Sequence, residues 1–544
     1  MEQLEQEIYD MWTELRPDIA FRCGVQNKAG EFFIPTDENI ERMLRKIGEL
    51  KVETLDSVNL GLLNCFETTL KFEEPYHIIY DSLWAYFAYI TKEGIDVPHI
   101  TSLTQNIIKA LKTVAERINS QPWSIEIKTV TMNNALGLLG VVSSIEKEAP
   151  ALKSVLEELR KELKTYLKML NVNGIKEGDF SEIYPILEAK GGNIGRKEIY
   201  PNILKHMYGF LETTEEIETQ ALNWLSDEKP RLKRITEQLA SIHKTKPTIE
   251  AVAEKINKRN TIKKSGLIAF IQKLRVPLRI LVEENIVRIT PKYDTKVLET
   301  PNYLLNFIST GAMEPFDIHT DSPFNIFFIT TDTKRSPPIN ASDLFQLVIH
   351  EEFGHCVHFS NSATHFKAKI SLVDLIITTL MLPISDGISF YREWEALELL
   401  QRVIKKPEYE LTPTEKEFLD IIRSITDPNL FLLEAEFTIL RWRIIRFLRA
   451  IGDVRINMHQ QSIAEFITWA HEYTEFSKKA IFDQIFLFMA RPGYAPCYSI
   501  VGERIRELQY KAKARGRQKI DFNTYASSLG FPPRAVFEQK LNDF

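Results

Sequence analysis

The tightest constraint in this 544-residue chain is a spacing. An apolar run, Leu344-Phe345-Gln346-Leu347-Val348-Ile349, reads as helix and leads into His350-Glu351-Glu352-Phe353-Gly354-His355. Two imidazoles with a glutamate beside the first are the ligands and the base of zinc hydrolases. In the common form of that motif the histidines stand four apart, about 400° around a helix, and share one face. Here they stand five apart, about 500°, so an ideal helix turns them roughly 140° away from each other. A π-type bulge removes the conflict, because i to i+5 is the π pairing and Gly354 has no side chain to resist it. The chain must therefore deform this helix and bring a second element against it to complete the ligands of an ion.

Simpler assignments compete. His350, His355 and His358 read equally as ordinary helix residues, with Glu351 and Glu352 as solvated charges. A di-iron site could start from Glu352 and His355 as Glu-x-x-His, but it needs a second such pair. The other match, Glu74-Pro75-Tyr76-His77, holds a proline that suits a helix start. Asn340-Ala341-Ser342-Asp343 supplies capping residues for the metal helix.

A second helix is expected over residues 385–403. Asp386 and Glu393 on it are seven apart, which returns within about 20° of the same face. A catalytic zinc with two histidines takes one carboxylate as third protein ligand, and the other can orient a histidine from behind. Further on, helices over 430–451 and 463–490, with their connection, carry Arg441, Arg443, Arg446, Arg449, Arg455 and His459. The turn Arg491-Pro492-Gly493-Tyr494-Ala495-Pro496-Cys497-Tyr498 then leads into another helix, whose tyrosines can place phenols where an oxyanion would form. Read as packing, Tyr494 and Tyr498 need no such role.

The N-terminal part, residues 1–275, is helix after helix, with apolar residues three to four apart and breaks at proline or glycine. The pattern covers 154–170, and Thr213-Thr214-Glu215-Glu216 reads as a capping box. From about residue 276 the character changes. Residues 287–291 and 323–331 carry β-branched and aromatic side chains between turn formers and read as short strands, one with a free edge that could pair with an extended peptide. The expected division is a helical lobe over 1–275 and a catalytic helical lobe over 276–544.

Composition excludes several classes. Net charge is −6 and the pI about 6.1, against a nucleic-acid partner. The basic stretches 255–264 and 511–519 read as solvated faces. Four scattered cysteines without a CxxC fit a reducing cytoplasm, with Cys356 and Cys497 as buried fillers. The acidic start lacks the features of a signal peptide, and the most apolar window, 370–388, is interrupted by charge and proline, so it reads as a core helix and no membrane partner is expected.

Taken in order, these pieces resemble the zinc-peptidase-like family catalogued as domain of unknown function 885, a distant relative of thimet oligopeptidase. The likeness runs from Gly195-Arg196-Lys197-Glu198-Ile199-Tyr200-Pro201 through Leu281-Val282-Glu283-Glu284-Asn285, the metal motif, Asp386-Gly387 with Tyr391 and Glu393, to Arg491-Pro492-Gly493-Tyr494. The His-Glu-x-x-Gly-His form of the motif, with its histidines five apart, resembles that of dipeptidyl peptidase III. The resemblance implies a mainly α, two-lobed zinc-peptidase fold with a deep cleft and a few short strands near the metal helix. It puts one Zn2+ on His350, His355 and Asp386, with Glu393 as the alternative third ligand. Glu351 is then the expected base, Tyr498 the oxyanion donor, and Arg491, Tyr494 or His459 the holders of the polar end of a short peptide. A zinc amidohydrolase acting on a non-peptide amide and a metal-free peptide-binding protein of the same fold remain as alternatives, and the oligomeric state is left open.

Overall fold

Where the apolar spacing and the caps agree, helices form close to the expected bounds. The structure is a computed structural model that describes residues 2–119, 121–171, 180–301, 304–305, 308, 310–331, 339–366, 372–377 and 383–544. It is mainly helical, with one small sheet. The stretch expected over 154–170 is the helix Lys153–Met169. The capping box at Thr213 is present, its hydroxyl accepting from Glu216 N and the Glu216 carboxylate from Thr213 N, and it opens Thr214–His243. The helix expected over 430–451 runs longer, Pro428–Asn457, started by the Asp427 side chain. The single helix expected over 463–490 is instead Ile463–Thr474 followed by Lys478–Phe486 and a 3₁₀ turn Leu487–Ala490. The break falls at Glu475, which adopts φ +66° and ends the first helix in a left-handed cap. Of the apolar window, residues 372–377 form a short helix packed on the N-terminal core, while 370–371 and 378–382 lie outside the described residues.

The strands differ more from expectation. Residues 287–290 form no strand. Thr290 N donates to the Asn361 side chain, whose amide donates to Arg288 O, so this backbone is satisfied by a helix behind it. The sheet consists of β1 (Thr295–Glu299), β2 (Gly311–Phe316) and β3 (Phe324–Ile329) in the order β1-β3-β2. β1 lies parallel and β2 antiparallel to β3, with Met313 opposite Phe327. β3, foreseen within 323–331, is thus central, and among the described residues the free edge beside the metal helix belongs to β2. Gly311 and Pro315 hid β2 in the sequence, because proline enters a sheet only on an edge or at a bulge.

The expected division at 275/276 falls inside the helix Leu267–Asn285. Each of the four apolar clusters draws residues from both sides of it, as where Phe21 and Leu103 share a core with Phe316 and Phe328. Among the described residues no helix is long and apolar enough to cross a membrane.

Candidate metal centre

The metal helix begins as α-helix over Ala341–Val348, with Asn340 accepting from Asp343 N at 2.9 Å. It becomes π-helix over Ile349–Cys356 and returns to α-helix over Val357–Phe366. The wider turn brings the two imidazoles together, with ring centroids 4.9 Å apart and planes at 88°. The surplus residue is absorbed in the backbone, as the five-residue spacing requires.

Gly354 has a second reason to be glycine. A Cβ there would lie 2.7 Å from Ser389 Cβ and 2.8 Å from Ser389 Cα, on the helix Ile384–Lys405. That carboxylate helix is gripped on its other side too. A Cβ on Gly387 would meet Val501 at 2.6 Å, and one on Gly502 would meet Phe390 at 2.5 Å. Three glycines thus let the metal helix, the carboxylate helix and the tyrosine-bearing segment Cys497–Val501 pack at backbone distance.

This packing delivers three acceptors to one point. His350 Nε2 lies 3.7 Å and His355 Nε2 3.5 Å from Asp386 Oδ1, and the three donor atoms of the cluster all fall within 4.8 Å of one another. The residues are 6, 5 and 3 % exposed. Behind them, His350 Nδ1 meets Glu393 Oε1 at 2.7 Å and His355 Nδ1 meets Ser385 Oγ at 2.8 Å. Those partners aim both Nε2 atoms inward, as outer-shell groups do around metal ligands. Tyr494 donates to Asp386 Oδ2, which leaves Oδ1 for the histidines. Two imidazoles and a carboxylate, buried with their lone pairs converging, are the donor set of a three-ligand zinc site, and the fit is good. Glu393, the alternative ligand, is spent elsewhere. It accepts from Gln346 Nε2 at 2.6 Å and from Arg446 Nη1 and Nη2 at 2.6 and 2.8 Å.

The charges follow the geometry. Burial opposes protonation of His350, but its bonds to Asp386 and Glu393 prevail and push its pKa up to about 9. Burial likewise opposes the charge on Asp386, yet the two histidines hold it well below the usual carboxylate range. Both shifts say that the cluster attracts positive charge. Glu351, half-buried beside it, is raised by burial more than His350 and His355 lower it. Its Oε2 accepts from Met313 N at 3.2 Å, which turns the free edge of β2 toward the site. The Tyr498 ring stacks on His350, with centroids 6.2 Å apart, and burial raises its phenol. Arg491 lies over the Tyr80, Trp84 and Tyr494 rings.

His459 is the sequence candidate the fold sets aside. It sits exposed just past the end of Pro428–Asn457, 3.6 Å from Glu218. Thirteen residues along a helix from Arg446 is roughly 20 Å, so a position near in sequence is distant in space. The di-iron assignment also meets no support: Glu352 is turned away to Arg275 and Tyr293, and Glu74 pairs with Arg196. Sequence reasoning missed Gln346, Ser385 and the use of Arg446. Gln346 was findable, being one helical turn before His350.

No family model matches the chain, and no curated protein matches it. Two solved structures share its fold over nearly the whole length. One is "the putative lipoprotein from Colwellia psychrerythraea", with a TM-score of 0.68, 15% identity, and 99% of this chain and 98% of that one covered. The other is "a putative lipoprotein of unknown function from Shewanella oneidensis", with a TM-score of 0.64, 15% identity and 99% of each chain covered. Neither is described as a zinc peptidase, and they overturn the expected membership in the domain-of-unknown-function 885 family and the likeness to thimet oligopeptidase and dipeptidyl peptidase III. That expectation rested on short stretches that serve local needs. Gly195 and Gly493 take φ +88° and +85°, and Arg196 is buried on Glu74, so such stretches recur wherever a chain meets the same local demand. What the neighbours establish for this chain is its fold.

Proposed function

We propose that the protein is a zinc-dependent hydrolase that cleaves amide bonds of short peptides. The observation that carries the reading is the convergence of His350 Nε2, His355 Nε2 and Asp386 Oδ1, with Glu351 beside them on the same deformed helix. Zinc bound there would polarise an amide carbonyl and bring a water near neutrality in pKa. Glu351, raised by burial, takes the proton of the attacking water and passes it to the departing amine. Tyr498 keeps its proton because burial raises its phenol, so it can donate to the developing oxyanion. Arg446 and Gln346 hold Glu393, Glu393 holds His350, and Tyr494 holds Asp386, which fixes the donors before substrate arrives. The outer edge of β2, whose Met313 N–H bonds Glu351, faces the site and would take an extended peptide alongside it.

Elemental analysis of the purified chain should give one zinc per molecule, removable by a chelator with loss of peptide cleavage. Glu351→Gln should lower kcat by about 10²- to 10⁴-fold, the range of a general base, while zinc stays bound. A Glu351→Gln variant as fast as the parent would end the assignment of the base. Cleavage of non-peptide amides alone would favour the amidohydrolase, and absence of bound metal a binding protein. The four scattered cysteines without a CxxC favour a reducing compartment, whereas the neighbours described as lipoproteins favour an anchored one; fractionation of cells producing the native protein decides.

A further inference from the structure

The helix Pro428–Asn457 buries Arg443, Arg446 and Arg449 and half-buries Arg455, and all of these but Arg449 are in ion pairs. Arg443 is held by Glu228 and Glu503, Arg446 by Glu393 and Arg455 by Glu218. Arg449 differs. It is 7 % exposed, and among the described residues no carboxylate lies within ion-pair distance. Its Nη2 donates to the neutral Gln484 side chain, and its buried Nε–H has no acceptor. The guanidinium lies 4.4 Å over the Phe488 ring and 5.4 Å over Tyr498. Asp386 acts on it only from beyond ion-pair distance, so Arg449 is a buried cation with no paired counter-charge, a costly arrangement that a carboxylate arriving at its open N–H would relieve.

Its position says what arrives. Tyr498 bridges Arg449 and the metal cluster, with steps of 5.4 Å to Arg449 and 6.2 Å to His350. A residue spans about 3.8 Å between Cα atoms, so a carboxylate on Arg449 belongs to a peptide that ends one or two residues past a bond held at the metal. The planar guanidinium offers N–H groups in the geometry a carboxylate accepts, and with Phe488, Tyr498 and Trp442 rings around it the open Nε–H edge is where such a group can bond.

We infer that Arg449 is the receptor for the free C-terminal carboxylate of the substrate, which makes the enzyme a carboxypeptidase releasing one or two residues. The inference rests on the peptidase reading. Its test separates the two. N-acetyl tetrapeptides with a free carboxyl end and with an amidated end are compared as substrates of the parent and as ligands of Glu351→Gln, by calorimetry. The acid should exceed the amide by at least about 100-fold in kcat/KM and about tenfold in affinity. Arg449→Met should abolish the preference by bringing the acid down to the level of the amide, and Arg449→Lys should recover part of it. Equal cleavage and equal binding of the two peptides by the parent and by Glu351→Gln would overturn the inference and leave the peptidase standing. This arm needs no change at Arg449, so misfolding of a variant cannot hide the answer. Tighter binding of the acid without cleavage of either peptide would overturn the peptidase reading while keeping the carboxylate receptor. An equal fall of both substrates in an Arg449→Met protein that keeps the parent's Tm would also overturn the inference, since Arg449 would then support the site as a whole and not the carboxyl end.

Discussion

Gly354→Ala isolates the contact that builds the site. The added Cβ would stand 2.7 and 2.8 Å from Ser389 Cβ and Cα, whereas ordinary contact begins at 3.4 Å. Ser389 Cα is backbone, so no rotamer change relieves the overlap, and the two helices must part by roughly 0.6 Å to restore ordinary packing. Overpacking of this kind costs about 1–3 kcal/mol. At about 2.1 cal/mol/K per residue, unfolding 544 residues carries near 1.1 kcal/mol/K, so the metal-free protein should lose only about 1–3 °C in Tm. The metal centre should suffer more. Ligand distances are held within about 0.2 Å in working sites, and a parting of roughly 0.6 Å between the two helices that carry the donors is threefold larger. Zinc affinity, measured by competition with a chromophoric chelator, should fall by about 10- to 100-fold or more, the scale of lost outer-shell support. Gly48→Ala is the control, because Gly48 lies in an exposed helix with nothing near its Cβ, and it should stabilise slightly and leave zinc binding alone. If Gly354→Ala loses Tm but binds zinc within twofold of the parent, the link between helix spacing and donor geometry is wrong.

Two further outcomes follow from buried charge. Glu352 is fully buried and held by Arg275 at 2.6–3.0 Å and by the Tyr293 hydroxyl at 2.8 Å. Arg275→Met should cost about 3–5 kcal/mol by stranding that carboxylate, and the double variant Arg275→Met with Glu352→Met should recover most of it in urea unfolding. A double variant as unstable as the single one would mean that packing, not charge, is lost. Glu434, buried beside His243 and Asn260, is raised by burial from 4.5 to about 7. Between pH 4.5 and 7 the unfolded chain ionises first, so this group lowers stability as pH rises, by about 1.4 kcal/mol per unit, and adds nothing further above 7. Glu434→Gln should therefore be more stable than the parent by about 3 kcal/mol at pH 8 and equal to it below pH 4.5. Parallel stability–pH curves for the two proteins would refute the shift.

What could be read from the chain follows the range of each interaction. Helices, caps and the π-deformed turn depend on residues within five positions of one another, and Thr213, Asn340 and the His350–His355 spacing carried them. The sheet was read only in part, because β2 contains the residues that usually end strands and owes its place to β3 and the metal helix. The donor set was legible because Asp386 and Glu393 share a helix face, but which of them faces the histidines was not. That choice is made by Arg446, 53 positions after Glu393, which takes Glu393 as its partner and leaves Asp386 to the cluster. The same long-range pairing explains His459 and Arg449, read together as parts of one basic stretch. One lies at the surface on Glu218, past the end of the helix Pro428–Asn457, and the other is carried inward beside Tyr498 on the part of that helix that is buried almost throughout. A local pattern can nominate polar residues for a site, but the partners that neutralise them decide which remain available, and those partners come from anywhere in the chain.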